Sequence, residues 1–489
     1  MKMTVDLFKS RYSIVLSVLF TGLCYYWGNG LIGDYWYLAW LAPIPVLCLA
    51  TVNSGKVAFG ASFTAYFIGR LSWFLYLVRV ATLVPAIIYT IVLALIFAGI
   101  ILLTRSAAIK LNSWYSVFAF PAFFTVFEYL IIKASPDGTA TSIAYSQMNC
   151  LPLIQIASVG GILAITFIVT LIPSAFAFAW YFRGQKRNFV YLSISSGAMI
   201  GGVLLFGFLR LVGASPSDKI KVALVVMDEQ KHNTSDRPDT IKDKAATEFY
   251  LKQINALAGN GVQAILLPER ALSIDSSSEK QMLNALSAAA LKNNVYLIAA
   301  YTNLRGKKEG NSAIVLNNKG NVITEYNKVH LVNGLERQFT PGNAIGLFKL
   351  DNLQSGVAIC KDLDFQEYIR HYGESRPCIL FIPAWDFIVD DWLHSRMAIL
   401  RGVENGFSEV RAARTGRLTI SDLYGRVTSE TSSSNQQQTS LIGYVSTQQT
   451  DTLYTAFGDW VGIVSLLISV VFMFKMIAYK RSGALADTN

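Results

Sequence analysis

The chain has 489 residues, of which 53% are hydrophobic and only 15% charged, against about 25% charged in an ordinary soluble protein. With a mean hydropathy of +0.39, this excludes soluble, disordered, collagenous and disulfide-scaffold classes. The net charge of +10 is explained by Lys and Arg flanking membrane spans rather than by nucleic acid as a partner. Five cysteines without a C-x-x-C pair make neither a disulfide framework nor a zinc finger, and no disulfide is expected.

A helix needs about 20 apolar residues to cross a bilayer. Uncharged runs of that order occupy 12–33, 35–55, 80–104, 138–182 and 188–209, and runs broken by one charge lie near 57–78 and 113–132. Seven spans are therefore expected before residue 212, and an eighth over 460–479. Cytoplasmic loops carry the excess of Lys and Arg. With the N-terminus inside, Lys2, Lys9, Arg11, Lys56, Arg105, Lys110, Arg183, Lys186, Arg187, Lys480 and Arg481 fall inside and only Arg79 and Lys133 outside, so 213–457 is expected on the outer side. Two charges lie within spans, Arg70 and Glu128. Arg70 either binds a lipid headgroup phosphate or snorkels or pairs with Glu128.

From residue 220 the pattern changes to short β-rich runs: 220–226, 264–267, 295–301, 312–317, 322–326, 356–359 and 378–383. Asn318-Lys319-Gly320 supplies a hairpin turn, and helical patterns over 239–258, 279–293 and 391–404 alternate with the strands. This predicts one α/β or α+β domain with helices covering sheets. The low-complexity run 432–438 reads as a solvated loop.

Glu269, Lys328 and Cys360 each follow a β-like run, where side chains of different strands can converge at a sheet edge. A carboxylate beside a thiol can take its proton, and an ammonium favours the thiolate and stabilises an oxyanion. Together they form an acyl-transfer apparatus that needs no metal or cofactor. Taken singly, each has a plain structural reading: Cys360 as a small buried hydrophobe, Glu269 and Lys328 as surface charges. Cys378 reads as buried and structural, Cys24 and Cys48 lie in spans, and Cys150 is the other exposed thiol.

The segments LLPER (266–270), YNKVHLV (326–332) and VAICKD (357–362), with intervals of 59 and 32 residues between the three residues, resemble the Glu, Lys and Cys motifs of the nitrilase (carbon-nitrogen hydrolase) superfamily. The whole chain is similar to its membrane-embedded branch, the apolipoprotein N-acyltransferases. LVNGLERQFTPG (331–342), PAWDF (383–387) and RAARTG (411–416) add to the match. The resemblance implies a polytopic membrane domain over 1–212, an extracytoplasmic αββα sandwich over 213–457, and a last helix with a cytoplasmic tail over 458–489. It implies a multi-pass protein of the bacterial inner membrane that moves an sn-1 acyl chain from a phosphatidylethanolamine-like phospholipid to the diacylglyceryl-cysteine of a lipoprotein, through a thioester. Glu269 is then the base, Lys328 the oxyanion stabiliser and Cys360 the nucleophile, with Glu336, Asp362 and Lys361 in support and Trp385 and Arg70 as substrate contacts.

The chain departs from that pattern near the site. Lys361 and Asp362 stand where an aromatic residue and Glu are usual, Pro-Ala-Trp-Asp-Phe replaces Asn-Asp-x-Trp-Phe, and Arg414 replaces an Asn. A second lysine beside the thiol is expected to lower its pKa further. A membrane-anchored amidase using water, and an inactive lipoprotein-binding homologue, are the rival readings.

Overall fold

The computed structural model describes residues 6–28, 31–214, 217–232, 239–305, 309–435 and 437–486; of the charges used above for orientation, Lys2 lies outside them. It divides into two units, a helical one of Met1–Ala134, Thr141–Gly213 and Asp459–Asn489, and an α/β one of Ser135–Ala140 and Ala214–Gly458.

In the helical unit α1 (Arg11–Gly28), α2 (Pro43–Val52), α3 (Gly55–Arg70), α4 (Leu83–Leu111), α5 (Ala119–Ala134), α6 (Ala157–Tyr181) and α7 (Lys186–Val212) follow in order, and Trp460–Ala486 closes the chain. Among the described residues five helical segments are long and apolar enough to cross a membrane: Leu83–Leu111, Trp114–Ala134, Ala157–Tyr181, Lys186–Val212 and Trp460–Tyr479. The first three expected spans coincide with α1, α2 and α3, of 18, 10 and 16 residues, which are too short or too polar for that class. Small residues let these helices approach: a Cβ on Gly69 of α3 would fall 2.4 Å from the Tyr25 Cβ of α1. Glu128 is buried, and its carboxylate accepts from Ser142 Oγ (2.7 Å), Ile143 N (2.8 Å) and Thr166 Oγ1 (2.6 Å). Arg70 is only 2% exposed, so it does not snorkel. Its guanidinium stands 4.8 Å from the Trp73 ring centroid, and its Nε and Nη2 have no hydrogen-bond partner among the described residues.

Among the described residues of the α/β unit thirteen strands form two sheets. The first has the order β13-β1-β2-β4-β5-β6, with β3 on β4, and the second β12-β11-β10-β9-β8-β7. The strands are β1 (Lys219–Val226), β2 (Ala264–Leu266), β3 (Leu272–Asp275), β4 (Tyr296–Leu304), β5 (Gly310–Leu316), β6 (Val322–Asn327), β7 (Gly346–Leu350), β8 (Leu353–Val357), β9 (Ile379–Trp385), β10 (Ser408–Arg414), β11 (Arg417–Ser421), β12 (Val427–Ser432) and β13 (Thr439–Ser446). Central pairs β1–β2, β2–β4, β8–β9 and β9–β10 are parallel, which is why their strands read as nearly continuous apolar runs.

One face of each sheet packs on the other through Val222, Leu224, Ile298, Val357, Phe381 and Val410, all fully buried. The outer face of the first sheet is covered by α8 (Thr240–Ala258) and α9 (Glu279–Asn293), through residues such as Tyr250, Ile254 and Leu286. The outer face of the second is covered by α10 (Gln366–Glu374) and α11 (Asp391–Asn405), through Ile369, Tyr372 and Ala398. The result is an αββα sandwich. Asp239 caps α8, accepting from Ile241 N and Lys242 N. Gly320, at φ +77°, makes the β5–β6 hairpin turn.

Candidate active site

The chain leaves β2 at Leu266 and reaches Glu269, whose N–H donates to Ala384 O of the second sheet at 3.3 Å. Lys328 is the first residue past β6; its N–H donates to Asn311 O at 2.9 Å. Cys360 opens the 3-10 turn Cys360–Asp364 after β8. Glu269 and Lys328 thus come from one sheet and Cys360 from the other, not from a single sheet edge.

Glu269, Lys328 and Glu336 are 3%, 1% and 5% exposed. Lys328 Nζ donates to Glu269 Oε1 at 2.7 Å and to Glu336 Oε2 at 3.0 Å. Asn311 Nδ2 donates to the same two carboxylates at 2.5 and 2.6 Å, and Val332 N donates to Glu336 at 2.7 Å. Burial alone drives a lysine toward its neutral form, but here Glu269, Glu336 and Cys360 outweigh it and hold Lys328 well above the ordinary lysine range. Although burial opposes its charge, Lys328 and the N–H donors hold Glu336 below the usual carboxylate value.

Cys360 has φ +44°, a conformation that strains any residue with a side chain. Its Sγ donates to Trp385 O at 3.7 Å. Burial first, then the charge of Glu269, push the thiol well above the ordinary cysteine value; Lys328 and Arg411 offset only part of this. These surroundings favour the thiol over the thiolate, which runs against the expectation of a thiol pKa lowered by two lysines. Lys361 is paired elsewhere, its ammonium held by Asp137 Oδ1 at 2.5 Å and Asp364 Oδ2 at 3.8 Å.

Asp362, fully buried, accepts from Tyr326 OH (2.6 Å), Val329 N (3.2 Å), His330 N (2.8 Å) and Ile359 N (3.0 Å). It thereby ties the turn bearing Cys360 to the stretch just past Lys328. The His330 ring stacks on Phe365 at 3.8 Å with its Nδ1 3.2 Å from Asp362. Trp385 ends β9 beneath the Arg414 guanidinium, 3.8 Å from the ring centroid, with Arg270 at 5.5 Å. Arg414 in turn donates twice to Glu229, at 2.9 and 2.7 Å. Asp386 accepts from Arg411 at 2.8 and 2.5 Å. Arg70 belongs to the helical unit and lines, with Glu128 and Tyr66, a cavity of about 20 Å³, room for about one water.

Reading the sequence missed Asn311, whose only signal was a polar side chain within β5. Asp386 and Arg411 both lie in segments that carry the resemblance, but their pairing was not read from the sequence. Chemically, the cluster offers a carboxylate to receive the thiol proton and an ammonium to receive negative charge developing on a carbonyl oxygen.

Two family models match the chain, the apolipoprotein N-acyltransferase N-terminal domain over residues 21–175 and the carbon-nitrogen hydrolases over 238–451. The apolipoprotein N-acyltransferase of Haemophilus ducreyi is 26% identical, over 92% of this chain and 94% of its own length. The chain belongs to the apolipoprotein N-acyltransferases of the carbon-nitrogen hydrolase superfamily. Another apolipoprotein N-acyltransferase, from Geobacter metallireducens, is 23% identical over 90% of this chain and 91% of its own length. A protein of Staphylococcus aureus described as the hydrolase in the agr operon is 30% identical over 35% of this chain and 69% of its own length. The family is one of acyltransferases, and its two models fall on the helical and α/β parts of the chain in that order.

Proposed function

We propose that this protein N-acylates the N-terminal diacylglyceryl-cysteine of lipoproteins, drawing the acyl group from the sn-1 ester of a phosphatidylethanolamine-like phospholipid. The observation that carries this reading is the buried Glu269–Lys328–Glu336 cluster, whose charges act on a strained Cys360. Glu269 takes the thiol proton as sulfur attacks the ester carbonyl, and Lys328 stabilises the resulting oxyanion. The intermediate collapses with cleavage of the C–O bond, and Glu269 returns the proton to the departing glyceryl oxygen, leaving a thioester on Cys360 and a lysophospholipid. The α-amine of the acceptor then attacks the thioester. Its proton passes through Glu269 to the sulfur as the C–S bond breaks, and the amide is released.

Glu336 keeps Lys328 charged, and Asp362 aligns the nucleophile turn. Both substrates carry chains that stay in a bilayer, which suits an enzyme built with apolar helices. The distribution of Lys and Arg among the loops favours an inner-membrane protein with 213–457 on the outer face. Incubation of the purified protein with phospholipid, followed by mass spectrometry of the peptide bearing Cys360, is expected to find the acyl adduct. The adduct is expected to disappear on addition of a diacylated lipopeptide. A Cys360 that never acquires the acyl group, together with ammonia release from small amides, would favour instead the hydrolase reading that the Staphylococcus aureus relative's description suggests.

A further inference from the structure

Residues Ser135–Ala140 follow α5 in the chain but belong to the α/β unit. Gly138 has φ +50°, and a Cβ there would fall 2.3 Å from Asp364 O, so only glycine lets this backbone lie against the nucleophile turn. Thr139 N and Thr139 Oγ1 both donate to Asp364 O at 2.9 Å. Asp137 Oδ1 accepts from Lys361 Nζ at 2.5 Å, with the lysine side chain 9% exposed and the aspartate 48%. The turn bearing Cys360 is thus gripped at Lys361 and Asp364 by one short segment, while Asp362 between them is held from β6 and its continuation. Strain such as that at Cys360 persists only where the surroundings over-determine it.

We propose that the 135–140 segment is a strap that holds the nucleophile in register with its base, and that Lys361 and Asp137 are positioning residues locking it. This rests on Cys360 being the nucleophile. It also accounts for the lysine that replaces the aromatic residue expected after the cysteine: its partner is the strap and not the sulfur.

The test uses the full-length protein with Asp137→Asn, Lys361→Met, Lys361→Arg and the exchange Asp137→Lys/Lys361→Asp. Two rates are followed, alkylation of Cys360 by iodoacetamide without lipid and acyl-enzyme formation from phospholipid vesicles. Misalignment at a reacting centre is costly, so Asp137→Asn and Lys361→Met are each expected to lower both rates about tenfold, with the phospholipid KM changed less than about twofold. Lys361→Arg and the exchange are expected to recover both rates to within about threefold, as restored pairing requires. Should Lys361→Met melt early, Asp137→Asn carries the decision, because its side chain is half exposed. Parent-like alkylation and acylation in Asp137→Asn overturns the strap, as does an equal loss in the exchange variant. A parent protein that alkylates at Cys360 yet never acylates overturns the proposed function instead, and the alkylation series still decides the strap.

Discussion

Replacing Lys328 by methionine preserves the length of the side chain and deletes a positive charge lying 2.7 Å from Glu269 and 3.0 Å from Glu336. The three groups are buried together, so the two carboxylates are left facing each other through Asn311 alone. Removing one partner of a buried ion pair costs about 3–5 kcal/mol. At about 2–4 °C per kcal/mol for a domain of this size, melting should fall by roughly 10 °C. A separate, kinetic loss follows from the missing oxyanion donor, about 10²–10³-fold in acyl-enzyme formation. The double variant Lys328→Met/Glu336→Gln separates the two. It relieves the repulsion, and so should melt within a few degrees of the parent while remaining as inactive as Lys328→Met. Thermal unfolding in detergent and intact-mass detection of the acyl group on Cys360 supply both readings. A single variant that melts with the parent, or a double variant that melts no higher than the single, refutes the electrostatic argument. Normal acylation in Lys328→Met refutes the role given to the lysine.

Asp362→Asn replaces a carboxylate that accepts from Tyr326 and from three backbone N–H groups. It should lower stability by about 1–3 kcal/mol and slow acylation with little change in lipid KM, and unchanged values for both would contradict the tie between the Cys360 turn and Lys328. Because burial and Glu269 raise the Cys360 thiol, alkylation of the resting protein should still be accelerating at pH 9; a plateau between pH 7 and 8 would show a low-pKa thiolate. His394 is partly buried, which opposes its charge, yet Asp390 at 3.2 Å and Asp386 at 3.8 Å raise it to about 9. Its folded value lies above the ordinary 6.5. The stabilisation is therefore complete below about pH 6 and lost as pH climbs from 6.5 through 9. The melting difference between the parent and His394→Gln should shrink across that window, and a difference independent of pH would exclude the effect.

Much of the proposed site is legible in residue type and position. Glu269, Lys328 and Cys360 stand immediately after β-like runs, and a strand end is where a side chain escapes the core and meets others. The spacing of the three, and the apolar runs on either side of the domain, carry the resemblance to the family. The polar partners were harder to read. Asn311 lies on β5 next to Ser312 and Ala313, with no periodic or charge signature, and only the fold sets its amide between two carboxylates.

Linear patterning determined a strongly apolar chain, an alternation of strands and helices from residue 220, and the choice of Glu269, Lys328 and Cys360 as the proposed base, oxyanion stabiliser and nucleophile. Those properties depend on side-chain chemistry and short-range period, which survive in one dimension. Tertiary structure alone decided that burial and Glu269 raise the Cys360 thiol, that Lys361 is turned to Asp137, and that Glu128 bonds Ser142, Ile143 and Thr166. Proton affinity and ion pairing depend on burial and on which groups come within a few ångströms, and the neighbours that matter here lie up to 224 residues away along the chain.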